Sequence, residues 1–432
     1  MSTWIALGTK QITQKKTKQD NGMRWTKEKD EAVFECLDSL EWVRWGGRTW
    51  WADGIWLKEP ENARNWVSNR LGLPIDKQTF KILLIRYLRG FVEGRHPIFH
   101  EEKEIVALRP KPSYLFPLRY SKRCIREGLW YPVRNETDSG YSLYFMPPRG
   151  DLEVLTQEHW PQGVYCIKEW GVGRERNLDS SGTIDDLFEF WSSLARDIKE
   201  GWELSLALML PALFGQGSAM FMIVGSDWDA QVRLLGSIIS LVGLPTTFVT
   251  TKSIYEQVYC LWKESFICVS NCNPHMASTP QSVRLIKLAM EGTTISIRRP
   301  RNILTVDKFR FDAPVFICSA GVKVHERLAS RTLDIHLRDT SLPTHFHHKY
   351  HLQPRALMGA FRLFQKAAQV KLTGEFGDYI TNGGSPDIVG IYIPYMDWMQ
   401  WAYRYACVLG IENKFLDYLK RSDKWNPSYK KD

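Results

Sequence analysis

The chain has 432 residues, a formal net charge of +9 and a sequence pI of about 9.0. Its 44% hydrophobic and 24% charged residues are ordinary for a globular protein able to bury sizeable cores, and the basic balance points to a polyanionic partner, nucleic acid before a membrane surface. The 8 cysteines (Cys36, Cys124, Cys166, Cys260, Cys268, Cys272, Cys318 and Cys407) are scattered, with no Cys-x-x-Cys pair, which excludes a dense disulfide framework and suits a reducing cytoplasm.

Residues 1–25 are polar and rich in Lys, Gln and Thr, and are expected to form a flexible basic arm without a secretory signal. An accessory domain is expected over 26–150. It opens with Trp42, Trp45, Trp50, Trp51, Trp56 and Trp66. Gly46-Gly47 and Asp53-Gly54 are turn signals that split the Trp-rich stretch into two or three short strands. Trp45 and Arg48 belong to a Trp–Arg alternation able to stack bases and neutralise phosphates. The other reading, a small β-meander whose rings form its own core, is the favoured one. Apolar residues at helical spacing predict a helix over 62–94. Pro110, Pro112 and Pro117 mark a linker or edge region, 119–148 is basic and aromatic, and Pro147-Pro148-Arg149-Gly150 reads as a boundary.

From about residue 180 helices and strands alternate. Thr183 reads as the N-cap of a helix over 184–196, with Asp185 and Asp186 in its first turn. Helices follow at 202–214, 230–242, 254–262 and 279–290, and strands at 220–224, 246–250, 266–270, 315–319 and 332–337. This alternation predicts a largely parallel α/β sheet with helices on both faces. Residues 204–226 carry no charge and are long enough to span a bilayer, but Pro211 and Gly215-Gln216-Gly217 divide them into helix, turn and strand. The core is expected over 151–340 and a helical C-terminal segment over 341–432.

A strand, a Gly-opened loop and a helix make the shape of a P-loop, whose backbone N–H groups cradle phosphates while its Lys and hydroxyl serve the β/γ-phosphates and Mg²⁺. Here Gly225 and Ser226 open the loop, but the second Gly is Ala230, the Lys is Gln231 and the hydroxyl is Val232. Asp227 and Asp229 would repel phosphate. Arg233 is the nearest substitute cation, yet it lies two residues beyond the Lys position and faces elsewhere on the helix.

Order and spacing of further segments resemble the ATPase domain of phage, plasmid and integrative-element primase–helicase proteins, an AAA+-like family. Ser270-Asn271 stand where that family has Asp-Asn at the end of its acidic strand. Leu288-Ala289-Met290-Glu291-Gly292 with Arg298, and Ala313-Pro314-Val315-Phe316-Ile317-Cys318, follow in order, with the sensor Asn replaced by Cys318. Arg331 stands where the resemblance places a trans-acting arginine, and it reads either as a structural ion-pair residue or as an arginine offered to a neighbouring subunit. Segments at 354–360 and 393–398 resemble the family's helical lid. The resemblance covers roughly the last two-thirds of the chain. It implies a P-loop core with a helical lid and a small α+β N-terminal domain. It implies no catalytic residue, because the Lys, hydroxyl and acidic anchors of Mg-ATP are all replaced.

Arg298, Arg299 and Arg301 crown an apparent hairpin arm, either a DNA-tracking hairpin or a solvated basic turn. His345, His347, His348 and His351 cluster without a Cys or acidic neighbour and read as a linker rather than a metal site. The expectation is therefore a non-catalytic, helicase-like protein with no bound cofactor, ATP with Mg²⁺ being the alternative ligands. It would bind DNA or scaffold a replication or mobility complex of a mobile element with other proteins of that element. It would work in the cytoplasm, as a homo- or hetero-oligomer and without a membrane. The alternatives are an active DNA-dependent ATPase using non-standard residues or a partner's P-loop, and a structural interaction module without DNA binding.

Overall fold

The structure is a computed structural model. It describes residues 25–38, 42–45, 49–52, 55–56, 60–92, 106–108, 111–115, 126–134, 141–156, 159–161, 164–166, 178–217, 219–242, 266–290, 294–299, 302–310, 313–338, 353–373 and 395–421, and the single positions 248, 253, 257, 377 and 380. The chain divides into two compact units, the first Met1–Val106, Ile167–Glu169 and Ser296–Phe309, the second Ala107–Cys166, Trp170–Ile295 and Arg310–Asp432.

The first unit begins with helix α1 (Lys27–Asp38). An antiparallel meander follows, of β1 (Trp42–Trp45), β2 (Thr49–Ala52) and β3 (Ile55–Trp56). Its register sets Arg44 opposite Trp50, and Trp51 opposite both Val43 and Trp56, while Gly46-Gly47 and Asp53-Gly54 lie outside the described residues. The single helix expected over 62–94 is in fact two, α2 (Pro60–Leu71) and α3 (Lys77–Val92). Gly72 ends α2 at φ 61. The Leu73 and Gly72 N–H groups close back on the Ser68 and Asn69 carbonyls at 3.1 and 3.4 Å, a Schellman cap. Pro74 cannot continue the ladder. Asp76 then starts α3, its Oδ1 accepting the Gln78 and Thr79 N–H groups at 2.9 Å. Val33, Leu37, Val67, Phe80, Leu83 and Leu84 form the shared core of the three helices.

The second unit contains β4 (Val106–Leu108), β5 (Ser113–Leu115), β6 (Gly128–Arg134), β7 (Tyr141–Met146), β8 (Glu153–Leu155) and β9 (Val164–Cys166). Strands β4 and β9 pair, and β5-β6-β7-β8 form an antiparallel sheet in that order. The prolines around 110–117 thus flank an edge strand, where a missing N–H is tolerated. Trp130 and Phe145 meet at the sheet core with ring centroids 4.3 Å apart.

Next come α4 (Ile184–Leu194), α5 (Trp202–Leu213), β10 (Met220–Val224), α6 (Trp228–Ser240), β11 (Ile267–Val269), α7 (His275–Ser278) and α8 (Pro280–Met290). The chain then forms β12 (Thr294–Arg299) and β13 (Asn302–Arg310), which belong mostly to the first unit through Ser296–Phe309, and returns to the second with β14 (Val315–Cys318), α9 (Glu326–Ala329) and β15 (Leu333–His336). The expected strands and helices recur within one or two residues at most ends. Thr183 is the N-cap of α4, in a capping box with Asp186. The sheet order is β11-β14-β10-β15, every pair parallel. Phe248 bridges Cys268 in parallel; the rest of the strand expected at 246–250 lies outside the described residues, as does nearly all of the helix at 254–262. Residues 204–226 do divide into α5, a turn at Gly215 and Gly217, and β10. Among the described residues, no helix is long and apolar enough to cross a membrane.

Helices α10 (Gln353–Gln369), α11 (Met396–Leu409) and α12 (Glu412–Arg421) complete the unit. They are seated on it through backbone: a Cβ on Gly359 would overlap the Thr183 carbonyl, one on Gly182 the Arg355 carbonyl, and one on Gly217 the Trp398 N–H. Arg404 caps the end of α10, its Nη1 2.6 Å from the Val370 carbonyl.

Candidate functional site

In a parallel sheet all strands end at one edge, and ligands of open α/β sheets bind there. At this edge β10 runs into Gly225, β14 into Ser319-Ala320-Gly321, β11 into Ser270-Asn271, and β15 ends at His336, paired with Val224.

The loop after β10 is shorter than its spacing suggests. Helix α6 begins at Trp228, not at Ala230, because Asp227 is its N-cap: Asp227 Oδ1 accepts the Asp229 N–H at 2.9 Å. Ala230, Gln231 and Val232 therefore lie within the helix. The amide group that would meet a phosphate at a helix start is bound to the protein's own carboxylate.

Gln231 is fully buried. Its Nε2 donates to the Gly225 carbonyl at 2.7 Å and to Ser319 Oγ at 3.3 Å, and its Oε1 accepts the Ala320 N–H at 3.1 Å. An amide makes these bonds because it both donates and accepts; a lysine ammonium only donates. The side chain at the Lys position thus ties the Gly225 turn to the tail of β14. Space is tight: a Cβ on Gly225 would stand 3.3 Å from Leu337 Cβ and 3.4 Å from Gln231 Nε2.

Ala230 is buried, Val232 half-buried, and Ser226 and Arg233 exposed. At 100° per residue Arg233 points about 200° away from Gln231, so it supplies no charge to the turn. Ser270 is buried and its Oγ accepts the Cys272 N–H at 3.3 Å. Asn271 is exposed, its Cβ 3.2 Å from where a Cβ on Gly321 would stand. Cys318 faces the interior, and burial pushes its thiol up to about 12; Ser319 is the side chain that meets Gln231. Arg331 precedes β15, so it sits at the opposite edge of the sheet, roughly 13 Å of strand away. Its carbonyl accepts the Tyr395 hydroxyl at 3.1 Å. The structure brings Gly225, Gln231 and Ser319 together and leaves Arg331 and Arg233 apart from them.

One pair at this edge has no local signal in the sequence. Glu200 Oε1 lies 2.5 Å from His336 Nδ1, and Glu200 Oε2 accepts the His336 N–H at 3.1 Å. The partners are 136 positions apart, and only the return of the chain at 197–200 alongside β15 joins them.

For the residues expected to meet nucleic acid, the backbone gives the placement. Arg298 and Arg299 end β12, which pairs with β13 in a two-stranded sheet, and Trp45 ends β1. Arg48, Arg301 and the cluster His345, His347, His348 and His351 lie outside the described residues. Among the described residues no group of three His, Cys, Asp or Glu could hold a metal ion.

No protein-family model matches the chain, and no curated protein matches it. Among solved structures it is similar to "The A form apo structure of NrS-1 C terminal region-CTR", at 6% identity over 59% of this chain and 78% of that one, with a TM-score of 0.28. It is similar to "The apo structure of NrS-1 C terminal region (305-718)" at 9% identity over 56% and 67%, TM-score 0.28. "The A form apo structure of NrS-1 C terminal region-CTR(305-718)" gives 8% identity over 66% and 91%, TM-score 0.30. Likenesses at this level define neither a shared fold nor a family.

Proposed function

We propose that the chain is a non-hydrolysing, helicase-like protein of P-loop descent, which binds DNA or scaffolds a replication or mobility complex of a mobile genetic element. The observation that carries this reading is Gln231: the position that should hold a phosphate-binding ammonium holds a buried amide bonded on both its nitrogen and its oxygen to the protein. The carboxylate of Asp227 on the α6 N-terminus adds a repulsive charge where a phosphate would approach. Neither hydroxyl nor carboxylate remains at the positions that would anchor Mg²⁺ apart from Ser270, whose oxygen already caps a turn. Without cation, metal anchors and open amides, the charge of phosphoryl transfer has nothing to stabilise it.

Titration of the purified chain with Mg-ATP by calorimetry, with and without DNA, tests the reading. It expects no binding up to millimolar nucleotide, and DNA affinity that falls steeply with salt. Saturable binding with DNA-stimulated turnover, abolished in Arg331→Ala, would establish the active-motor alternative instead. Stable protein complexes without any DNA affinity would establish a purely structural role.

A further inference from the structure

The break between α2 and α3 produces an arrangement that an unbroken helix would not. Helices α1, α2 and α3 pack around one core. The last two are joined by a tight connection that starts on a left-handed glycine and ends on an Asp cap. Two helices joined by a short Gly-containing turn, braced by a third, are the framework in which the second helix is presented to a DNA groove. The core holds α3 by one face: Phe80, Leu83, Leu84 and Tyr87, at i, i+3, i+4 and i+7, are buried.

The remaining face is chemically distinct. Gln78, Ile82 and Arg86 form a row at i, i+4 and i+8 and are exposed, with half-buried Lys81 beside them. Helix α3 (KQTFKILLIRYLRGFV) contains Lys77, Lys81, Arg86 and Arg89 and no acidic residue, whereas α1 (KEKDEAVFECLD) carries Glu28, Asp30, Glu31, Glu35 and Asp38. Helix α1 also holds Lys27 and Lys29, and α2 holds Arg64 and Arg70, but α3 is the one of the three helices without an acidic residue to offset its cations. Arg86 reaches Asp30 at 3.3 Å, yet its side chain stays 62% exposed, and an exposed pair of this kind costs little to rearrange. Ile82, at 39% exposure, is one of two large hydrophobic residues exposed among the described residues.

From this charge complementarity we propose that α2 and α3 form a helix-turn-helix that docks α3 in the major groove of duplex DNA. The inference rests on the DNA-binding reading above and names its site and substrate form. Lys81 and Arg86 match guanine O6/N7 or flanking phosphates, Gln78 matches the adenine N6/N7 edge, and Ile82 matches a thymine methyl. A helix of this length, about 24 Å, is ample for a groove about 12 Å wide. Duplex RNA is not the match, because its major groove is too narrow for side chains to read.

Fluorescence anisotropy with the full chain and a labelled duplex tests this, with dimethyl sulfate footprinting of guanine N7 as the second readout. The double variant K81A/R86A is expected to weaken duplex binding at least tenfold and to lower the slope of log affinity against log salt. The wild type is expected to protect guanine N7 in the major groove. Should K81A/R86A also lower the melting temperature, the wild-type footprint alone decides. Unchanged affinity in K81A/R86A, unprotected N7, or displacement by single-stranded but not duplex competitor would overturn the helix-turn-helix while leaving DNA binding intact. Absence of any DNA binding by the wild type would overturn both.

Discussion

The side-chain oxygen of Gln231 accepts the backbone N–H of Ala320, 89 positions away, at 3.1 Å. Through that bond the turn after the central strand and the tail of its neighbour become one hydrogen-bonded piece. Restoring the lysine should therefore damage the protein before it restores nucleotide binding. Gln231→Lys keeps donors but loses the acceptor and buries a charge. Gln231→Ala is expected to lose about 1–3 kcal/mol of stability, and Gln231→Lys at least as much, in urea unfolding. A lysine variant that binds Mg-ATP at no cost in stability would refute the role assigned to this amide.

Asp227 separates capping from charge. Asp227→Asn keeps an oxygen for the Asp229 N–H and should change stability by only a few tenths of a kcal/mol, while Asp227→Ala should lose about 1 kcal/mol. Equal losses in the two variants would mean that the carboxylate charge, not the cap, holds the start of α6.

The crossing of α10 over the start of α4 should tolerate no side chain at Gly359. Since a Cβ would overlap the Thr183 carbonyl and stand 3.0 Å from Leu187 Cβ, Gly359→Ala must push backbone from backbone. A loss of about 3 kcal/mol or more is expected, at the upper end for overpacking. A melting temperature equal to the wild type would show that the two helices are not in this close contact.

Asp186 gives a pH dependence of definite sign. Burial raises its carboxyl pKa, but hydrogen bonds from Thr183 and the Arg355 guanidinium outweigh burial and hold it below the usual carboxylate value. The folded state then binds this proton less readily than the unfolded one. The stabilisation is present above the ordinary Asp range and is lost as pH falls through the lowered value. Asp186→Asn should cost about 1 kcal/mol near neutrality, and its urea midpoint should converge on that of the wild type in acid. A difference that stays constant down to acidic pH would remove Asp186 from the pH response.

Much of the α/β core was legible from residues alone. Met220–Val224 and Val315–Cys318 are short apolar runs between polar breaks, which suits strands covered on both faces, while Leu333–His336 alternates apolar and polar as suits the strand at the sheet's edge. Thr183 with Asp186 three residues on spelled its own cap. The break at Gly72-Leu73-Pro74 was also written in the sequence, but the apolar period continues across it because Ile75 is buried in the same core as α2 and α3. Periodicity reports which residues share a core, not whether the backbone between them is continuous. The start of α6 was misplaced because an expected motif counted Asp227 and Asp229 as loop, where an Asp before an apolar helix is equally a cap. Gln231 was recognised as the residue at the Lys position, yet its bonds to Ser319 and Ala320 depend on strand order, which no local pattern encodes. The Glu200–His336 pair was invisible for the same reason.

Helix α5 is buried along every residue from Leu204 to Leu213 and carries Pro211, which has no N–H to give. Upstream, Trp191 Nε1 donates to Ser205 Oγ at 2.9 Å and the Tyr114 N–H to the Phe214 carbonyl at 2.8 Å, but two further donors come late in the chain: Trp398 Nε1 binds the Leu208 carbonyl at 2.8 Å, and the Tyr405 hydroxyl binds Gln216 at 2.9 Å, 190 and 189 positions downstream. On the ribosome, then, the most apolar helix of the unit is made nearly two hundred residues before the indole and phenol that close over it. The second unit cannot finish folding as it emerges; that side of the helix must wait until α11 has been synthesised.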